Sequence, residues 1–183
     1  MFKNFSPNLF FSMGAVTVVI FAPFIMLFLP ILYSFFVTEK YSDDLFLLNP
    51  INNSLLLFAC LLLAGTFGLL AYKRTTFMYI TGVLLFFVSF SVGYLSTQNY
   101  LEITNEQIER HYFLNADRYE WSELAEVYYE YVVGRNAGTM TLITKSGEQL
   151  VIKDKELTSQ ARSYIYHYSR QNDVVYIERE KKD

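Results

Sequence analysis

Three stretches of this chain carry no charged side chain at all: Asn4 to Thr38, Leu45 to Tyr72, and Thr75 to Leu101. Each is longer than the roughly 20 residues that span about 30 Å of hydrocarbon. An ionised group at mid-membrane costs upwards of about 2.5 kcal/mol even on lenient insertion scales. Clean runs of this length therefore predict three transmembrane helices, near 9–37, 54–72 and 77–95, and an anchor occupying residues 1–98. The apolar part of the first run is far too long for a cleaved signal peptide, and no small-x-small site precedes a polar start.

Within the first run, Pro23 and Pro30 predict a helix that kinks or ends early, because each proline removes a hydrogen-bond donor. Only Lys73–Arg74 separates the next two runs, so they are expected to form a tight antiparallel hairpin. Ala64-x-x-x-Gly68 and Ser89-x-x-x-Gly93 place small residues at helical spacing, which permits close contact between helices or between copies in a homo-oligomer. Lys3 and Lys73–Arg74 fall on one side, and the acidic Glu39–Asp44 loop, with Lys40 alone, falls on the other. The positive-inside rule then puts the amino terminus in the cytoplasm and, after three crossings of the cell membrane, the carboxy-terminal domain outside.

Beyond residue 98 the oil gives way to short segments separated by turn residues, which predicts a small β-rich domain over 99–175. "NYLEIT" and "IERHYFL" read as strands and "NADR" as a turn. The run Tyr119–Val133 reads as a long strand, and "TMTLITK" and "EQLVIK" as a hairpin about Ser146–Gly147. Leu157, Ala161, Tyr164, Ile165 and Tyr168 recur at the spacing of one buried helix face, giving an amphipathic helix near 156–171 capped by Thr158 or Asp154. A charged tail over 176–183 follows. The fold class is α+β: a three-helix membrane anchor, then a β-sheet domain closed by a helix.

Ile103-Thr104 with Ile108, the segment Glu120 to Val127, and Gly138 to Leu142 with Ser146-Gly147 resemble the bacterial pleckstrin-homology-like (PH-like) domain. The resemblance covers roughly Asn99 to Gln171. It implies a strand-rich scaffold closed by a helix and fused to membrane segments, in small bacterial membrane proteins. Members often have two membrane helices and a cytoplasmic domain, whereas three are read here, so family precedent and the charge count place the domain on opposite sides.

Charge argues against nucleic acid as a partner. Residues 99–183 hold eleven basic and fifteen acidic side chains, with no clustered basic face to neutralise phosphates. The single cysteine, Cys60, permits no disulfide within one chain. No catalytic, cofactor or metal set stands out: His111 and His167 lack a third ligand at a recognisable spacing, and Asp43-Asp44 lacks a partner base. Strand alternation in "VYYEYVV" sends Val127, Tyr129, Tyr131 and Val133 inward and leaves Tyr128 beside Glu130 exposed. Tyr128, Glu130, Arg135 and Asn136 are then the candidate partner contacts, and Lys145, Lys153 and Lys155 a candidate lipid-headgroup patch. The expectation is a non-enzymatic interaction module held in the bilayer and binding a protein or peptide at its surface. The alternatives are an immunity or stress-protection protein against a toxin or bacteriocin, and a membrane enzyme.

Overall fold

The computed structural model describes residues 6–38, 45–133, 137–153 and 156–180. They divide into two compact units. One holds the helices through Phe35 together with Ile51–Gln98; the other joins Phe36–Pro50 to the chain from Asn99 onward.

The first unit comprises α1 (Pro7–Thr38), α2 (Ile51–Tyr72) and α3 (Thr76–Leu95). All three are long and apolar enough to cross a membrane. α1 runs through both prolines without ending, so of the kink and the early end expected there, the early end does not occur. Each proline removes one backbone donor, and the apolar residues around it keep the remaining helical bonds. The Thr75 hydroxyl accepts from Met78 N–H and caps α3, which lets the chain reverse over three residues. α2 and α3 pack through small residues: buried Ser89 donates its Oγ–H to the Ala59 carbonyl at 2.7 Å, and Gly93 faces the Ala59 methyl. The Ser89/Gly93 face thus takes part in the packing of the hairpin itself. Gly68 of the other small-residue pair looks into open space.

The second unit contains two four-stranded sheets. β1 (Leu45–Leu48), β2 (Tyr100–Ile103), β3 (Gln107–Tyr112) and β4 (Asn115–Glu120) form one, in that order. β5 (Leu124–Val132), β6 (Ala137–Thr144), β7 (Gln149–Lys153) and β8 (Val175–Glu180) form the other, in the order β7-β6-β5-β8. α4 (Ser159–Gln171) joins β7 to β8, with Thr158 as its cap through a bond from Ala161 N–H. Ile103, Ile108, Val127, Leu142, Ile152 and Ile165, from both sheets and α4, are fully buried in one core.

Four elements differ from the sequence expectation. β1 lies in a stretch that reads as oil preceding the second membrane helix. It pairs antiparallel with β2, Leu45 opposite Ile103 and Leu48 opposite Tyr100, and Leu45 enters the core. A buried strand and a membrane run are both continuous apolar sequence, so periodicity does not separate them. The hairpin expected at "NADR" turns instead at Phe113–Leu114, with 115–118 already in β4. Phe113 takes φ 53°, and its N–H is held by the Asn99 side-chain oxygen at 2.9 Å. The run 119–133 is not one strand. A 3-10 turn over Trp121–Glu123 breaks it and moves the chain from one sheet to the other. The turn is fixed by the buried Trp121, whose indole N–H donates to the Thr104 carbonyl at 2.9 Å.

The charged tail is the fourth difference, for 175–180 form β8, parallel to β5. α4 ends in a left-handed residue, Asp173 at φ 57°, after which Val174 N–H bonds back to the Ser169 carbonyl. This helix-ending bond returns the chain alongside β5.

Candidate functional site: the outer face of the β7-β6-β5-β8 sheet

Alternation along four strands in register builds the surface on which the sequence candidates fall. Val127 and Tyr129 of β5, Met140 and Leu142 of β6, and Leu150 and Ile152 of β7 point into the core. Their neighbours point away from it. The central row across the sheet is Ile177–Tyr128–Thr141–Val151. Beside it run Val175–Glu126–Ile143–Gln149 and Arg179–Glu130–Thr139–Lys153. Val151 is 38% and Val175 51% exposed, so apolar side chains reach solvent at both edges.

Tyr128 is engaged rather than free. Its hydroxyl donates to the Glu126 carboxylate, and the Arg179 guanidinium lies over its ring, 4.9 Å from the centroid. The bond to Glu126 holds the phenol above its usual pKa, helped by desolvation and the carboxylate charge and opposed by Arg179. Arg179 in turn donates from Nε and Nη2 to one oxygen of Glu130, at 2.8 and 2.6 Å. The Tyr128–Glu130 pair therefore extends into a Glu126–Tyr128–Arg179–Glu130 cluster that fixes the centre of the face. Arg179 escapes sequence reasoning because "VYIERE" carries so many charges that it reads as a tail. The signal was its alternation, with Val175 and Ile177 on one side and Tyr176 on the other.

Tyr131 and Val133, expected inward, are 37% and 66% exposed, because β5 outruns the core at this end. There Tyr131 faces Gly138, and the Tyr129 ring leans across the glycine: an added Cβ would sit 2.7 Å from it. Arg162 of α4 holds that ring, donating to its hydroxyl at 2.6 Å with the guanidinium 5.1 Å from the centroid. Arg135, Asn136 and Lys155 lie outside the described residues, as do Asp43 and Asp44.

Lys145 and Lys153 are not brought together. Lys153 pairs with Thr139 at one end of β6, and Lys145 follows Thr144 at the other. Five residues of strand separate these ends by about 17 Å. Lys145 also donates to the Ser122 carbonyl at 2.7 Å. The histidines do not meet either. His111 stacks on Tyr100, 4.3 Å between centroids, and contacts Glu109, whereas His167 is exposed on α4 beside Gln171. Among the described residues, no group of three or more His, Cys, Asp or Glu side chains is placed to hold a metal ion.

A second polar cluster, absent from the sequence candidates, ties the domain's corner. Arg110 of β3 pairs with Glu156 at 3.1 Å and donates to the Val151 carbonyl at 2.9 Å. Asn49, just after β1, donates to the same Glu156 at 2.9 Å. Three distant segments are thus clasped around one carboxylate. Glu156 lies 107 residues from Asn49, and no local pattern signals that partnership.

Compared with known families and curated proteins, the chain matches no family model and no curated protein.

Proposed function

We propose that this chain is a membrane-anchored PH-like interaction module that binds a protein partner on the outer face of its β7-β6-β5-β8 sheet. The observation that carries the proposal is that face. Ile177, Tyr128, Val151, Ile143 and Val175 lie on it in register, interleaved with Thr141, Glu126 and Gln149 and flanked by the row of Arg179, Glu130, Thr139 and Lys153. Exposed aliphatic side chains around a tyrosine, mixed with polar groups and an arginine, are a common composition of a protein interface. The PH-like assignment is supported by two successive antiparallel meanders, β2 to β4 and β5 to β7, followed by α4 over a shared core. β1 supplies the first sheet's fourth strand from before the α2–α3 hairpin. The domain's net acidity and the separation of Lys145 from Lys153 favour a protein over an anionic headgroup.

In the membrane, the β1–β2 ladder requires the end of α1, the start of α2 and the end of α3 to share one side. Three crossings meet that requirement. With Lys3 and Lys73–Arg74 on the cytoplasmic side, as the positive-inside rule favours, the domain would lie outside; the family precedent favours the reverse.

The partner face is tested with a photoreactive amino acid at Val151 in the membrane-embedded full chain. A discrete protein adduct that disappears with Tyr128→Ala is expected. Adducts that are absent, or that form equally well in the Tyr128→Ala chain, refute this face. Reporters inserted between Lys73 and Arg74 and after Asp183 are expected to be active on opposite sides of the membrane.

A further inference from the structure

We propose that β8 pairs edge to edge with β8 of a second copy of this chain, antiparallel, about a two-fold axis at Ile177. Among the described residues, the two sheets leave four outer edges, belonging to β1, β4, β7 and β8. An edge carries unpaired backbone groups and is a template for another strand unless it is guarded. β7 is guarded, since Arg110 takes the Val151 carbonyl and Glu156 holds Arg110 in place. β1 is four residues long and leads directly into α2.

The remaining two edges differ in how they meet themselves. Opposed residues of an antiparallel pair share a face, so a two-fold axis normal to the sheet must set one residue opposite itself. On β4 the registers of longest overlap set Asp117 against Asp117 or Arg118 against Arg118. Like charges directly opposed are destabilising, so β4 is guarded against its own copy. On β8, the axis at Ile177 opposes Ile177 to Ile177, Tyr176 to Glu178 and Val175 to Arg179. No like charges meet. Phenol faces carboxylate, and Tyr176 already donates to Glu178 within the chain at 3.3 Å. Moving the axis to Glu178 opposes two carboxylates, and moving it to Tyr176 shortens the overlap, which leaves the Ile177 register.

The pairing also continues the surface described above. Ile177 ends the row Val151–Thr141–Tyr128–Ile177, so the axis joins two such rows into one across an eight-stranded sheet. Ile177 and Val175 of β8 belong to both edge and face, but the edge is read by crosslinking between copies at position 177 and the face by a heterologous adduct at Val151. Failure of one is therefore distinguishable from failure of the other.

The test uses the full chain in detergent or bilayer discs with Cys60→Ala, which removes the single cysteine. Opposed Cα atoms lie about 4.5–5.5 Å apart, inside disulfide range, whereas diagonal ones lie beyond about 7 Å. Mild oxidation of Ile177→Cys is expected to give a covalent dimer in at least about tenfold greater yield than Glu178→Cys or Lys145→Cys. Light scattering is expected to give a dimeric mass for the unmodified chain and a monomeric mass for Ile177→Lys, with unchanged Trp121 emission showing that the variant is folded. A monomeric unmodified chain, a dimer indifferent to Ile177→Lys, or crosslinking without preference for position 177 overturns the proposal.

Discussion

Replacing Leu45 by alanine tests whether the segment between the first two helices belongs to the domain that follows the third. Leu45 is 7% exposed, packs in the core shared by both sheets, and stands opposite the fully buried Ile103. Truncating a leucine at such a site costs about 2–4 kcal/mol through lost transfer energy and the cavity left behind. For a unit of 100 residues, each kcal/mol moves the midpoint by about 5 °C, so the transition should fall by about 10–20 °C. The assay is tryptophan emission during heating. Trp121 is the single tryptophan of the chain and is buried in this domain, so the signal reports its unfolding alone. Leu27→Ala in α1, where the side chain is 60% exposed, should leave the same transition unmoved. A Leu45→Ala transition within about 2 °C of the unmodified chain, less than half a kcal/mol, would refute the assignment of β1 to the domain's core.

Gly138→Ala should destabilise the domain by about 1–3 kcal/mol, because the new methyl meets the Tyr129 ring and the Glu130 carbonyl inside 3 Å; chemical denaturation measures it. Asn99→Ala should cost about 1–3 kcal/mol in the same assay, since it leaves the Phe113 N–H without its acceptor at a turn already in left-handed geometry. Tyr176 provides an alkaline limit. Burial pushes its phenol well above the usual tyrosine pKa, reinforced by the Glu178 carboxylate and the hydrogen bond to it, and opposed by Arg162. With the folded pKa raised, the stabilisation is complete below the unfolded value of about 10 and is lost as pH rises above it. Tyr176→Phe should therefore flatten the decline of thermal midpoint with pH above about 10; an unchanged slope would refute the link.

How much of this was legible in the sequence varied with how local the cause is. The three long helices follow from missing charge, and the buried face of α4 from the spacing of Ala161, Ile165 and Tyr168, both properties of neighbouring residues. The hairpin about Ser146–Gly147 was equally local, with Gly147 in the left-handed conformation that favours glycine. β1 and β8 were not legible, because each is defined by a partner strand far along the chain. "LFLL" satisfies a membrane run as well as a sheet, and "VYIERE" becomes a strand only when β5 offers an edge. At the site, alternation identified Tyr128 and Glu130, while Arg179, which locks them, lay in the segment expected to be tail. The Arg110–Glu156–Asn49 clasp had no local signal at all.

The pairing of β1 with β2 carries a consequence for biosynthesis. The ribosome makes β1 first, then the whole of α2 and α3, and only afterwards the strand that β1 needs. Sheet closure must therefore wait until the hairpin has been made and has brought the chain back to the side where β1 stands. Closing so long a loop is entropically modest, rising only slowly with length, so geometry rather than cost sets the order. If α2 and α3 cross a bilayer, a copy in which only one of them crosses leaves Leu45 and Ile103 unburied on opposite sides, whereas a hairpin that stays out altogether keeps both strands on one side. On the proposed reading of a membrane anchor, folding of the domain would report that α2 and α3 had crossed together rather than singly.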